Sequence, residues 1–369
     1  MPKVIVRTTI PFLLFLLPLY SISQKTLQPG FNPGEYADLL QLNFVAIGDT
    51  LPMQHEYVLG NGIYKKIFRS PEVGLYNRCE LFTRDGNTVV ISLRGTIAKS
   101  GSWLENFYMA MVPANGSLQL NDSSRFDYRL ASDSGAFVHT GWLLGLASLS
   151  AYIDKNLGPL LAQGITDIIV MGHSQGGVLA FLTTSYLWYK YHEKFPSMRL
   201  KTYASAAPKP GNLNYAYDFD FITRNGFGFR IVNQADWVPE SPVSIQTVQD
   251  FNSVNPITDA KTTLRKQKFL SRIALVHVYN KLDRKTYKSM KNFRKYMGGA
   301  VGKQVNKTLP EFVAPEYAYS MNYMTAGSPV ILKADNAYYD QFKFDGKNIF
   351  IHHLIKPYLY LLQQHYPYK

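Results

Sequence analysis

Residues 165–177 read Ile-Thr-Asp-Ile-Ile-Val-Met-Gly-His-Ser-Gln-Gly-Gly. The apolar run ending at Met171 predicts a short buried strand, and Gly172 stops it. The stretch VLAFLTTSYLWYKYHEKF at 178–195 then predicts a long helix. Between them, GHSQG (172–176) fits the pattern Gly-x-Ser-x-Gly. A strand, a tight turn and a helix in this order hold a serine on a strained elbow, its hydroxyl projecting from the end of a sheet. Glycines two residues to either side let strand and helix approach without a Cβ clash. Ser174 is therefore the candidate nucleophile.

Outward from the elbow the alternation continues. NTVVISLRG (87–95), MRLKTYASA (198–206) and FRIVNQ (229–234) read as further apolar strands. Between them Trp142, Leu143, Leu146, Leu149, Ile153 and Leu157 recur at helical spacing. Apolar strands alternating with helices imply an α/β fold whose mainly parallel central sheet is flanked by helices on both faces. Residues 243–348 fit this alternation poorly and read as an insertion before the chain's end. The length of 369 residues admits two domains, but one α/β domain over 24–369 accommodates it. With 46% hydrophobic and 18% charged residues the chain can bury a sizeable core, which excludes a disordered or collagen-like protein. The single cysteine, Cys79, excludes an intramolecular disulfide and a Cys-based zinc or iron–sulfur site. No other metal site stands out, and no cofactor is expected.

The first 23 residues read as a signal peptide. Lys3 and Arg7 precede an apolar stretch, IPFLLFLLPLY (10–20), and small residues stand at Ser21 and Ser23. Cleavage is expected near Ser23/Gln24, which makes the mature protein secreted or periplasmic. The formal charge of +13 is not spread evenly. Residues 261–303 carry 13 Lys or Arg and one acid, Asp283. A nucleic-acid binder with a uniformly basic chain would look different, and no nucleic-acid partner is expected. Within 281–297, Leu282, Met290, Phe293 and Met297 recur at spacings that place them on one helix face opposite the basic residues. Such a helix either lies on an anionic membrane or lipid surface, or packs its apolar stripe on the core with the charges in water.

A serine hydroxyl is a weak nucleophile until a base takes its proton and a carboxylate orients that base. On a sheet of this kind the partners follow in the order serine, acid, histidine. Asp236 comes just past the strand FRIVNQ, at the same sheet end as Ser174, whereas Asp167 begins the strand that leads to Ser174 and so lies at the opposite end. Asp236 is the candidate acid. Of eight histidines, His352, His353 and His365 follow it near the chain's end, and the residues alone leave the base open among them.

Six motifs in order resemble the class 3 lipases. They are VVISLRGT (89–96), VHTGW (138–142), IIVMGHSQGG (168–177), APKPGN (207–212), FRIVNQADWVPESP (229–242) and HLIKPY (353–358). The resemblance spans roughly residues 60–242 plus 350–362 and implies an α/β-hydrolase fold. It further implies Ser174 as nucleophile, Asp236 as orienting acid and His353 as base, with the neighbouring His352 an alternative one position away. Thr96 and Gln175 would each give a backbone N–H to an oxyanion hole, the Thr96 hydroxyl adding to it. The stretch SGSWLENFYMAMVPANG (100–116) corresponds to the family's lid, and its apolar residues suit either a mobile cover over an acyl groove or a packed core helix. The chain departs from the family in the 117-residue spacing between Asp236 and His353 and in lacking paired cysteines.

The expected activity is that of an exported serine esterase or lipase acting on lipid esters through an acyl-enzyme. Two alternatives stand beside it: a catalytically silent hydrolase fold that binds lipid or protein, and a polysaccharide-ester hydrolase of the same mechanism.

Overall fold

The apolar stretches 88–93 and 167–173, buried on both faces, form the centre of one eight-stranded sheet. The computed structural model describes residues 27–48, 53–252, 254–255 and 268–368. The expected signal peptide lies outside them. Helix α1 (Pro33–Gly48) comes first. Strands β1 (Glu56–Leu59), β2 (Gly62–Arg69), β3 (Cys79–Arg84) and β4 (Thr88–Leu93) follow as an antiparallel meander. Helix α2 (Ser100–Phe107) leads to four strands outside the main sheet: β5 (Met111–Pro113), β6 (Asn115–Asn121), β7 (Ser124–Arg129) and β8 (Phe137–His139). Then come α3 (Thr140–Ala162), β9 (Asp167–His173), α4 (Gln175–Tyr191), β10 (Arg199–Ser205), α5 (Leu213–Ile222) and β11 (Gly228–Asn233). The sheet order is β1-β2-β3-β4-β9-β10-β11-β12, with β12 at Ser328–Leu332. From β4 to β12 every neighbouring pair is parallel. This is the α/β-hydrolase architecture.

Two cores sandwich the sheet. On one side α3, α4 and α5 pack Leu146, Ile153, Leu179, Phe181 and Phe219 against Ile91, Ile168 and Val170. On the other side α1 and the C-terminal helix Ile355–His365 pack Tyr36, Leu40, Tyr358 and Leu361 against Val90, Ile169 and Met171. Strand β9 is buried along its whole length, which is why its sequence is a continuous apolar run. Each Leu or Ile fully removed from water there contributes about 1.5–3 kcal/mol.

Two expectations change. The stretch 243–348 is not all insertion: Ser328–Leu332 pairs in parallel with β11, from Phe229↔Ser328 to Asn233↔Leu332, and completes the sheet. The stripe expected over 281–297 also divides. These residues belong to a helix, Phe269–Phe293, that continues as a wider π turn, Arg294–Ala300. Met290 is fully buried, Phe293 and Met297 are half-buried, and Leu282 is 65% exposed. The cause is local anchoring. Ala110 donates its N–H to the Met297 carbonyl, Arg294 donates to the Tyr317 carbonyl, and Phe293 packs edge-on against Tyr323. Those contacts cover only the C-terminal half. The N-terminal half leaves Leu270, Ile273, Leu275 and Val278 exposed as well. Among the described residues no helix is long and apolar enough to cross a membrane.

Candidate active site

The carboxyl ends of β4, β9 and β11 meet at one cavity of about 390 Å³. Ser174 stands at its wall, between β9 and α4, with φ 61° and ψ −127°. That backbone is strained for any residue with a Cβ and persists only where its surroundings hold it. Here a Cβ on Gly172 would strike the Gly176 carbonyl, and one on Gly176 would strike the Leu93 carbonyl. The glycines flanking the elbow are required by this crowding.

His353 and Asp236, 117 residues apart in sequence, meet through His353 Nδ1 and Asp236 Oδ2 at 2.7 Å. The carboxylate accepts the Nδ1 proton, which leaves Nε2 as the basic nitrogen. Asp236 is buried, accepts the Val238 N–H at 3.0 Å on its other oxygen, and accepts the Tyr358 hydroxyl at 2.8 Å. His353 lines the same cavity as Ser174. Among the described residues no hydrogen bond joins the Ser174 hydroxyl to His353. His352 faces elsewhere: its Nδ1 meets the Tyr338 hydroxyl at 2.8 Å, and its carbonyl accepts from Asn233 Nδ2. Asp167 lies at the far sheet end, bound to Arg199 and the Leu27 N–H.

Behind the base runs a second ordered row. His173 Nε2 lies 2.8 Å from the His353 carbonyl, which can only accept, so Nε2 carries the proton. Its Nδ1 then accepts from Ser205, which in turn accepts from Tyr36. Burial, helped by the nearby His353, pushes the His173 pKa down to about 3, so this ring stays neutral and serves as a fixed strut for the His353 loop.

The Thr96 and Gln175 N–H groups donate to no other backbone group among the described residues. Both residues line the cavity, and both amides are thus open to an anionic oxygen. The Thr96 hydroxyl behaves differently. It donates to Gln175 Oε1 at 2.7 Å, so its proton is already committed. The stretch 100–116 divides. Helix α2 forms its first half, with Trp103 and Phe107 at the cavity and partly in water. Met111 in β5 is fully buried. Trp103 also packs on Phe350, which packs on Trp237 and His353. The cavity wall is chiefly apolar, with Met109, Trp142, Val238 and Leu354 beside these rings.

Residues 90–245 match the family model for lipase (class 3). The resemblance to class 3 lipases stands. The matched stretch is under half of the chain; it contains Thr96, Ser174, Gln175 and Asp236 and stops short of His353. A search of curated proteins finds no match. Among solved structures, a triacylglycerol lipase titled for its serine protease triad is 22% identical over 48% of this chain and 61% of its own, with a TM-score of 0.36. The Rhizomucor miehei lipase in its native propeptide complex is 20% identical over 56% and 62%, with a TM-score of 0.41. The Yarrowia lipolytica Lip2 lipase is 18% identical over 59% and 78%, with a TM-score of 0.43. The chain thus spans about three fifths of the length of the first two structures.

Sequence reasoning missed Tyr358, which donates to Asp236, His173, which holds the His353 carbonyl, and Asn106, which donates to the Thr96 hydroxyl oxygen at 2.9 Å. For Tyr358 a signal was present, since it closes the quoted motif HLIKPY. His173 and Asn106 also stand in quoted stretches, but their contacts with His353 and Thr96 are encoded by no spacing in the sequence.

Proposed function

We propose that this protein is an exported serine esterase that hydrolyses carboxylic esters of lipids. The observation that carries the reading is the meeting of His353 and Asp236 at 2.7 Å on the wall of the cavity where the strained Ser174 stands. In this reading Ser174 Oγ attacks the ester carbonyl while His353 Nε2 takes its proton. Asp236 stabilises the imidazolium through Nδ1. The carbonyl oxygen, now an anion, receives the N–H groups of Thr96 and Gln175, and losing one such donor costs about 10²–10³ in rate. His353 returns the proton to the leaving alcohol, and the acyl-enzyme is then opened by a water that His353 deprotonates. The apolar wall of Trp103, Phe107, Trp142 and Leu354 favours an acyl chain over a sugar. Replacing Ser174 by Ala is expected to abolish hydrolysis of short-chain and emulsified esters with the fold intact; retained turnover would sink the mechanism.

The same reading gives the basic helix a role. Its exposed Leu270, Ile273, Leu275, Val278 and Leu282 sit on an element that also carries Lys281, Arg284, Lys285 and Lys288. Apolar side chains that enter the acyl boundary, flanked by cations that meet anionic head groups, suit attachment to a lipid surface.

A further inference from the structure

Glu105, next to the cavity-lining Asn106, is a buried carboxyl group that the mechanism does not use. It lies on α2 with no exposed surface and makes no ion pair among the described residues. Its oxygens face two amides, Asn77 Nδ2 at 2.5 Å and Gln175 Nε2 at 2.8 Å. The crowding is tight, because a Cβ on Gly145 would strike Glu105 Oε1. Burial pushes its pKa up to about 8.

The hydrogen bonds around it run in one direction, and the chemistry of the groups fixes that direction. The indole of Trp142 can only donate, and it lies 2.9 Å from Asn106 Oδ1. The other end of that amide, Asn106 Nδ2, must then donate to Thr96 Oγ1, at 2.9 Å. A hydroxyl that accepts there turns its single proton to its other neighbour, Gln175 Oε1 at 2.7 Å. The Gln175 amide is thereby oriented with Nε2 toward Glu105, which must accept. His139 secures the start of the chain. Its Nδ1 accepts the Trp142 N–H, so Nε2 carries the proton and donates to the Asn106 carbonyl.

We infer that Glu105 is a positioning residue for the oxyanion hole, the terminal acceptor that holds the Gln175 and Thr96 side chains and so aims their two backbone N–H groups. The inference rests on the esterase reading above. Glu105 never touches substrate. What it supplies is the nearer of two acceptors for the Gln175 Nε2 amide, at 2.8 Å, the other being Asn77 Oδ1 at 3.3 Å; an apolar group there would leave one buried N–H unpaired, which the Gln175 side chain escapes only by moving. Movement at Gln175 shifts a donor whose loss costs about 10²–10³. Either protonation state of Glu105 presents that oxygen, and so does the amide of glutamine.

The test compares Glu105→Leu, Glu105→Gln and Gln175→Met in the full chain, each checked for fold by circular dichroism and assayed on p-nitrophenyl butyrate. Glu105→Leu is expected to lower kcat about 10–100-fold with KM changed less than about twofold, because an oxyanion donor acts in the transition state and not on bound substrate. Glu105→Gln is expected to recover most of that kcat, since its amide oxygen can still accept from Gln175 Nε2 while its NH2 gives up only the Asn77 Nδ2 contact. Gln175→Met keeps the backbone N–H and is expected to match Glu105→Leu, and it serves in its place if that variant does not fold. Full kcat in folded Glu105→Leu or Gln175→Met would overturn the positioning role while leaving the esterase reading intact. So would equal loss in the Leu and Gln variants. A wild-type protein with no turnover and no labelling at Ser174 would overturn both.

Discussion

Replacing Asp236 by Asn changes one oxygen to an NH2 where all three neighbours are donors. Oδ1 accepts the Val238 N–H, and Oδ2 accepts both His353 Nδ1 and the Tyr358 hydroxyl. An amide cannot serve all three. With its oxygen toward Val238, its NH2 faces His353 Nδ1. The imidazole must then protonate on Nε2, and it loses the nitrogen that takes the serine proton. With its oxygen toward His353, the NH2 meets the buried Val238 N–H, and that buried clash of donors costs about 1–3 kcal/mol. The first arrangement is the cheaper, because the Tyr358 hydroxyl can rotate to accept. The wrong tautomer in such a constellation costs about 10⁴ in kcat, equal to about 5.5 kcal/mol of barrier. Asp236→Asn is therefore expected to lower kcat on p-nitrophenyl butyrate by about 10³–10⁴ with KM within about threefold and the fold unchanged. An Asn variant that keeps more than about a tenth of kcat would refute the assignment of Asp236 as the group that sets the tautomer of His353.

Other consequences follow from the same contacts. Glu35 on α1 binds Lys201, Arg84 and the Tyr203 hydroxyl beneath the sheet. Burial works to raise its pKa, but Lys201 and Arg84 outweigh burial and hold it below 4.5. A depressed carboxyl contributes stability that is present above its unfolded value and lost as pH falls through the folded one. Glu35→Gln should lower Tm at pH 7, with the gap to wild type closing as pH falls below 4.5; a gap constant from pH 7 to pH 3 would contradict the ion pairs. For the lipid surface, neutralising Lys281, Arg284 and Lys285 to Gln should weaken binding to phosphatidylserine-containing vesicles at low salt by about 10²-fold, taking about 1 kcal/mol per cation. Unchanged partitioning would assign the exposed helix another role.

The parts of this protein that were legible from sequence are those whose signal is local. The elbow at Ser174 was readable because strand, turn and helix are contiguous. Asp236 was readable because it follows a strand directly. The meander β1–β3 escaped because its strands carry charges that end up inside: Lys66 is buried in β2, and Glu80 in β3 pairs with Arg69. Those charges erase the apolar run that marks β4 and β9. Helix α1 buries Tyr36, Leu39, Leu40 and Leu42 on several sides, which blurs its helical period. Strand β12 is five residues long and stands in a polar neighbourhood, so it reads as part of the insertion. His353 was chosen over His352 through the family resemblance and not from the residues alone, and it is His353 that lies against Asp236; Glu105 needed Gln175, 70 residues away.

Every step of the proposed reaction depends on Ser174 being an activated nucleophile. Treating the protein with a fluorophosphonate in the presence of lipid, with Ser174→Ala beside it, and mapping the adduct by mass spectrometry measures that activation at the residue itself. One phosphonylated residue, Ser174, is expected, with no adduct in the Ala variant. Folded wild-type protein that stays unlabelled, or carries the label at another serine, would contradict it.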